Sequence, residues 1–157
     1  MNKDSKYYQV HDFYSRLHNK DKFVGRRPIT VRSSYEKKYI KFLDMNSSVL
    51  QWRSEDDPIK YFDPTRKKYR RYFVDFWVKI KQTNGEIKEF FVEVKPESKL
   101  HPPKKPKRIT QGYKRMLQEY IVNQSKFEAA EKLCEYLRKT GRNIEFIKVT
   151  EKQLGIK

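Results

Sequence analysis

Apolar and polar residues follow different rhythms in successive stretches of the chain, and each rhythm predicts an element. After the helix-capping hydroxyls of Ser33 and Ser34, Tyr39, Ile40, Phe42 and Leu43 recur at the spacing of one helix face, and that run ends near Asn46. Val49-Leu50-Gln51-Trp52 reads as a short strand. Ser54-Glu55-Asp56-Asp57-Pro58 is a turn, a second apolar-basic run opens at Ile59, and Asp63-Pro64-Thr65 marks another turn. Residues 69–95 form two β-rich runs around Thr83-Asn84-Gly85, a hairpin signal whose register can be worked out from side-chain pairing. A two-residue turn would set Val74, Phe76 and Val78 against Lys95, Glu93 and Phe91, mixing apolar and charged partners. A three-residue loop with Gly85 in the left-handed region sets them against Val94, Val92 and Phe90 and gives one apolar face. Asp75 then lies opposite Glu93 on the second face, which Lys95 shares.

Residues 101–108, with prolines at 102, 103 and 106, cannot form regular structure and make a basic loop. From Gln111 to Lys139 an apolar stripe through Tyr113, Leu117, Tyr120, Phe127, Ala130, Cys134 and Leu137 predicts a helix, with Asn123-Gln124-Ser125 as the point where it can break and Gly141 as its stop. Asn143–Val149 alternates as a last strand, with Ile144 and Phe146 on one side and Glu145, Ile147 and Val149 on the other. Thr150-Glu151-Lys152-Gln153 has the spacing of a capping box. Residues 1–28 mix aromatics and charge without a sustained period and are expected to form an extended basic arm that orders on binding. Residues 29–157 are expected to form one domain.

Composition adds a partner. The 157 residues hold 37 Lys and Arg against 20 Asp and Glu, a formal charge of +17 that attracts polyanions. The charge is clustered: Lys60, Arg66, Lys67, Lys68, Arg70 and Arg71 face only Asp63 in residues 60–71, and residues 99–115 hold Lys99, Lys104, Lys105, Lys107, Arg108, Lys114 and Arg115 with no acid. A merely solvated face would mix signs, so these blocks favour phosphate contacts, with Arg70, Arg71, Lys104, Lys105, Lys107 and Arg108 as candidates. Neither block lies on a helix with an apolar opposite face, so membrane binding is not expected. No apolar run reaches the ~20 residues of a bilayer span and the opening residues lack a secretory signal, which predicts an intracellular protein. Cys134 is the single cysteine, and His11, His18 and His101 are scattered, so any metal is expected on oxygen ligands.

The second face of the hairpin carries the chemistry. Asp75 opposite Glu93 is a repulsive pair, which either Lys95 or a hard divalent cation would neutralise. Both together make a hydrolytic site, with the cation polarising a phosphodiester and Lys95 orienting water or stabilising phosphate charge. The plainer reading makes all three solvated charges, but it would leave Trp77 and Phe91 exposed on the same face. Glu36 has two readings as well: Ser33-Ser34-Tyr35-Glu36 fits a capping box, whereas its helix face, shared with Ile40 and Leu43, would point its carboxylate toward Asp75 and Glu93.

A helical Glu, an Asp near the start of a strand and Glu-x-Lys on the next strand resemble the PD-(D/E)xK nuclease superfamily. More narrowly, the chain resembles the head completion nucleases of T-even-like tailed phages. The residues that carry this are Arg32-Ser33-Ser34-Tyr35-Glu36, Arg70-Arg71-Tyr72-Phe73-Val74-Asp75-Phe76, Val92-Glu93-Val94-Lys95-Pro96, Pro102-Pro103-Lys104-Lys105-Pro106-Lys107-Arg108, Asn123-Gln124-Ser125-Lys126-Phe127 and Thr150-Glu151-Lys152. Val74 departs from the superfamily's usual Pro.

The resemblance implies an α/β (α+β) restriction-endonuclease-like core, a mixed sheet with helices on both sides in the order αβββαβ. It implies a Mg²⁺-dependent endonuclease, with Mn²⁺ as the alternative ion, whose catalytic residues are Glu36, Asp75, Glu93 and Lys95, the three acids being the metal ligands. Gln124 and Lys126 join the DNA-binding set. The implied role is trimming of packaged DNA before head–tail joining, in the virion and the host cytoplasm, beside capsid or portal-vertex proteins. Many relatives of this fold pair as homodimers to cut two strands. The rival functions are a non-catalytic DNA-binding protein that closes the filled head and an RNA-binding module, although no RNP-like run is present.

Overall fold

The computed structural model describes residues 12–156. Its helices are α1 (Ser34–Met45), α2 (Gln111–Lys139) and α3 (Glu151–Leu154), and its strands are β1 (Val49–Ser54), β2 (Pro58–Asp63), β3 (Lys68–Phe73), β4 (Phe76–Lys81), β5 (Ile87–Val94) and β6 (Ile144–Val149). The predicted hairpin joins β4 to β5 in the three-residue register, with Phe76 opposite Val92 and Val78 opposite Phe90. Gly85 adopts φ +86°, a conformation a side chain would strain, and its N–H donates to the Gln82 carbonyl at 2.9 Å. The four-stranded sheet runs β1-β4-β5-β6 and is mixed: the first three strands are antiparallel and β6 is parallel to β5. Helices cover both faces, and the elements of this sheet with its two long helices follow the expected αβββαβ order.

Alternation along the strands divides the core between the two faces. On one face, Val49, Trp52, Phe76, Val78, Val92 and Val149 pack under Tyr39, Ile40 and Leu43 of α1. On the other, Trp77, Phe91 and Ile144 pack with Ala130 and Cys134 of α2 and with Ile59, Tyr61 and Tyr72. The last three belong to β2 and β3, which form a separate antiparallel ribbon. Ile144 and Phe146 on one side of β6, and Ile147 and Val149 on the other, match the predicted alternation.

Three expectations are corrected. The run entering the hairpin is not one strand: it leaves the ribbon at Phe73 and enters the main sheet at Phe76. At that crossing the Val74 N–H donates to the Asp57 carbonyl at 3.3 Å, and the Glu55 N–H donates to the Asp75 carbonyl at 3.0 Å. A proline at position 74 would remove the first of these bonds, a physical reason for the departure from the superfamily pattern.

Residues 12–28 are not an extended arm. They contain short 3₁₀ turns at Phe13–Arg16 and Lys20–Lys22, and Leu17 and Phe23 are buried in the core under α1. The buried Asp44 carboxylate fastens this segment by accepting the His18 and Asn19 N–H groups at 2.9 and 2.8 Å. The remainder of the predicted arm, residues 1–11, lies outside the described residues. Finally, α2 runs unbroken through Asn123-Gln124-Ser125. The buried position of Asn123 puts that polar segment against the protein and not in a loop.

Candidate active site

Asp75 sits where the chain crosses from ribbon to sheet, and extending the hairpin register by one pair sets it against Glu93. Its Oδ2 accepts the Val94 N–H at 2.8 Å, which fixes the carboxylate across the hairpin. Glu93 is buried near the end of β5. Its Oε1 lies 3.3 Å from Lys95 Nζ, and its Oε2 is buried with no hydrogen-bond partner. Lys95 lies just past β5 but continues the pairing, since its N–H donates to the Val149 carbonyl at 2.9 Å. Backbone pairing therefore sets the positions of all three groups.

Burial, followed by the charge of Glu93 and opposed by the Val94 hydrogen bond, pushes the Asp75 carboxyl well above the usual carboxylate range. Burial also raises Glu93, against the opposing pull of Lys95. Such a pair is strained as two anions in a low-dielectric site and is relieved by positive charge.

Cations and aromatic rings surround the pair. Lys126 of α2 is half-buried, and burial followed by the nearby charge of Lys95 lowers its pKa. Its Nζ lies 5.6 and 5.5 Å from the ring centroids of Tyr61 and Tyr72. The Lys95 and Lys148 ammonium groups lie 5.8 and 5.2 Å from the ring centroid of Phe127. Lys148 is the β6 residue in register with Glu93.

Glu36 is brought near the pair but not into it. Its N–H donates to Ser33 Oγ at 3.1 Å, and its carboxylate accepts from Ser33 Oγ at 3.3 Å and from the Arg32 N–H at 3.4 Å, so helix-capping contacts are present. Its helix covers the opposite face of the sheet, yet its charge is among those that raise Asp75. Its own carboxyl is raised mainly by burial. Among the described residues, no three His, Cys, Asp or Glu side chains gather closely enough to hold an ion by themselves.

The donor set nevertheless fits a hard divalent cation. Mg²⁺ is commonly held by one or two carboxylates together with waters and substrate phosphates, and the orphaned Glu93 Oε2, on the residue set against Asp75, supplies uncommitted acceptor capacity.

The predicted DNA contacts separate into groups. Lys104, Lys105, Lys107 and Arg108 are exposed on the irregular connection between Lys95 and α2, whereas Gln124 and Lys126 are half-buried on α2. Arg70 and Arg71 point to opposite sides of the ribbon. Arg70 is half-buried and lies 3.5 Å from the fully buried Asp63, while Arg71 faces solvent.

Sequence reasoning missed Tyr72 and Glu55. The Tyr72 hydroxyl is buried without a partner, and after burial the charges of Glu93 and Asp75 are what raise its pKa. The alternation Arg70-Arg71-Tyr72-Phe73, read as a two-faced strand, was the available signal. Glu55, within the stretch read only as a turn, has φ +48°, pairs with Arg32 and adds to the raised pKa of Glu36.

With this fold, and with an acid pair and a lysine on adjoining strands, the chain belongs to the TnsA-like endonuclease N-terminal family, which it matches over residues 46–151. It is a DNA endonuclease with the restriction-endonuclease-like fold. That superfamily typically requires a divalent metal. A particular relative is the head completion nuclease of Enterobacteria phage T4, 38% identical over 138 residues that cover 83% of this chain and 86% of that protein. The resemblance read from the motifs is thereby borne out. The family match begins at Asn46, so it contains Asp75, Glu93 and Lys95 and leaves Glu36 outside.

Proposed function

We propose that the protein is a Mg²⁺-dependent endonuclease of phage head completion that trims packaged DNA ends before the tail joins, with Mn²⁺ able to replace Mg²⁺. The observation that carries the metal dependence is the buried, unpartnered Glu93 Oε2 beside Asp75 and Lys95. Asp75 and Glu93 hold the cation, and Glu36 acts from the edge of the site. Held there, an ion would supply Lewis-acid chemistry for polarising the scissile phosphate and activating water.

The chain's own groups do the rest. Lys95 spends one N–H on Glu93 Oε1 and has others for a phosphate oxygen, where negative charge grows as the bond to the attacking water forms. Tyr72 offers a hydroxyl donor from the same wall, and Lys126 adds positive potential. Arg70, Arg71, Gln124 and the Lys104, Lys105, Lys107 and Arg108 loop hold the duplex by its phosphates. The T4 relative's description as a head completion nuclease supports the assembly role. Action in the virion and host cytoplasm, contact with capsid or portal-vertex proteins, and pairing of two copies to cut both strands complete the proposal.

Incubating supercoiled plasmid with the protein in Mg²⁺ or in EDTA tests it. Nicked or linear product in Mg²⁺ alone is expected; equal cleavage in EDTA, or none in either, would overturn the metal-dependent reading.

A further inference from the structure

The β2–β3 ribbon has one face packed against α2 and, among the described residues, one face uncovered. Ile59, Tyr61 and Tyr72 fill the inner face, and Asp63, the only acid in residues 58–73, is fully buried. The outer face carries Lys60 and Phe62 from β2 and Tyr69, Arg71 and Phe73 from β3. Phe62, Tyr69 and Phe73 are 46, 66 and 43% exposed.

These side chains are ordered relative to one another. Phe62 and Tyr69 are directly paired and meet edge to face at 5.2 Å, and Lys60 Nζ lies 4.7 Å from the Tyr69 ring centroid. Lys60 is paired with Arg71. Like charges directly opposite one another destabilise a strand pair, and an anion lying across the two would relieve that repulsion. Three large rings left in water beside paired cations likewise lack their complement.

Phosphate alone would satisfy the cations but not the rings. A duplex presents phosphates and hides the faces of its bases, whereas an unpaired strand presents both. The ribbon also adjoins the proposed site: Tyr61 and Tyr72, on its inner face, lie next to Lys126, and Tyr72 feels the charges of Glu93 and Asp75.

We propose that the outer face of the ribbon is a platform for unpaired nucleotides. Phe62, Tyr69 and Phe73 stack on bases, and Lys60 and Arg71 pair with the intervening phosphates. The substrate class that follows is DNA with a single-stranded stretch beside duplex, such as a frayed end, gap or branch. This assignment rests on the reading of the chain as a DNA-cutting enzyme, but the platform can be measured without cleavage.

The test is fluorescence anisotropy in EDTA, using oligothymidine and a blunt duplex of equal length, with the full chain, Tyr69→Ala and the triple variant Phe62→Ala/Tyr69→Ala/Phe73→Ala. Stacking predicts that oligothymidine affinity falls about tenfold for each ring removed, with duplex affinity within about twofold of the parent. Tyr69→Trp restores or tightens single-strand binding. Because these side chains are exposed, the melting temperature and the Mg²⁺-dependent nicking of intact plasmid should match the parent. Equal losses on both DNAs, or unchanged oligothymidine binding in Tyr69→Ala, would overturn the platform; the second result would point to a protein partner on this face. If the parent cuts no DNA in Mg²⁺ yet the selective loss is seen, the nuclease reading fails and the platform stands.

Discussion

Lys95 Nζ lies 3.3 Å from Glu93 Oε1, while the other oxygen of the same carboxylate is buried without a partner. The lysine satisfies half of the acid, and Glu93 lies against Asp75 across the hairpin register. Deleting either partner therefore has consequences for both stability and chemistry.

Lys95→Ala leaves Glu93 buried with neither oxygen paired. The expected cost is about 1–3 kcal/mol at neutral pH, together with loss of most turnover. Adding Glu93→Gln should restore most of the stability but none of the cleavage. Denaturant melts and plasmid nicking on the two proteins check this pair of outcomes.

The raised Asp75 carboxyl makes the metal-free protein sensitive to pH. Folded Asp75 holds its proton to a higher pH than unfolded Asp75, whose ordinary value is 3.8, so the folded state binds more protons. In EDTA, parental stability should fall as pH rises from about 4 through the raised folded value. Asp75→Asn lacks this titration and should be the more stable protein at neutral pH. Thermal melts across that range check the sign; a neutral-pH melting temperature below the parent's would contradict it.

The β4–β5 hairpin was legible because two signals agree: Gly85 at a left-handed turn, and a register that pairs Phe76 with Val92. The same register brought Asp75 to Glu93, so the heart of the candidate site followed from residue spacing. The separation of ribbon from sheet was not legible, because Tyr72-Phe73-Val74-Asp75-Phe76 is continuously strand-like and the crossing depends on long-range bonds to Asp57 and Glu55. Leu17 and Phe23 belong to a mostly polar stretch with no sustained apolar period, so no period announces that they are buried. Tyr72 needed both the ribbon's register and its packing against α2.

For Glu36, capping contacts and proximity to Asp75 coexist, and the substitution Glu36→Gln separates them. Gln can still accept the Arg32 N–H, so the melting temperature should change little. Loss of the charge should slow single-turnover cleavage by roughly tenfold, or about 1.4 kcal/mol in the barrier. Parental cleavage rates would return Glu36 to a capping role.

Neutralising Lys104, Lys105, Lys107 and Arg108 should weaken binding to all duplex sequences alike. The slope of log affinity against log salt should become shallower by about 0.9 for each phosphate that the loop no longer neutralises. An unchanged slope would assign this exposed, proline-stiffened loop to a protein partner.

The proposed chemistry depends on Asp75 and Glu93 acting together as a metal-holding acid pair. Asp75→Asn removes one carboxylate charge at nearly constant volume, so its Mg²⁺-dependent plasmid cleavage, measured alongside DNA binding in EDTA, decides the assignment. DNA affinity should stay parental with cleavage abolished; parental cleavage by Asp75→Asn would mean that Asp75 does not hold the metal.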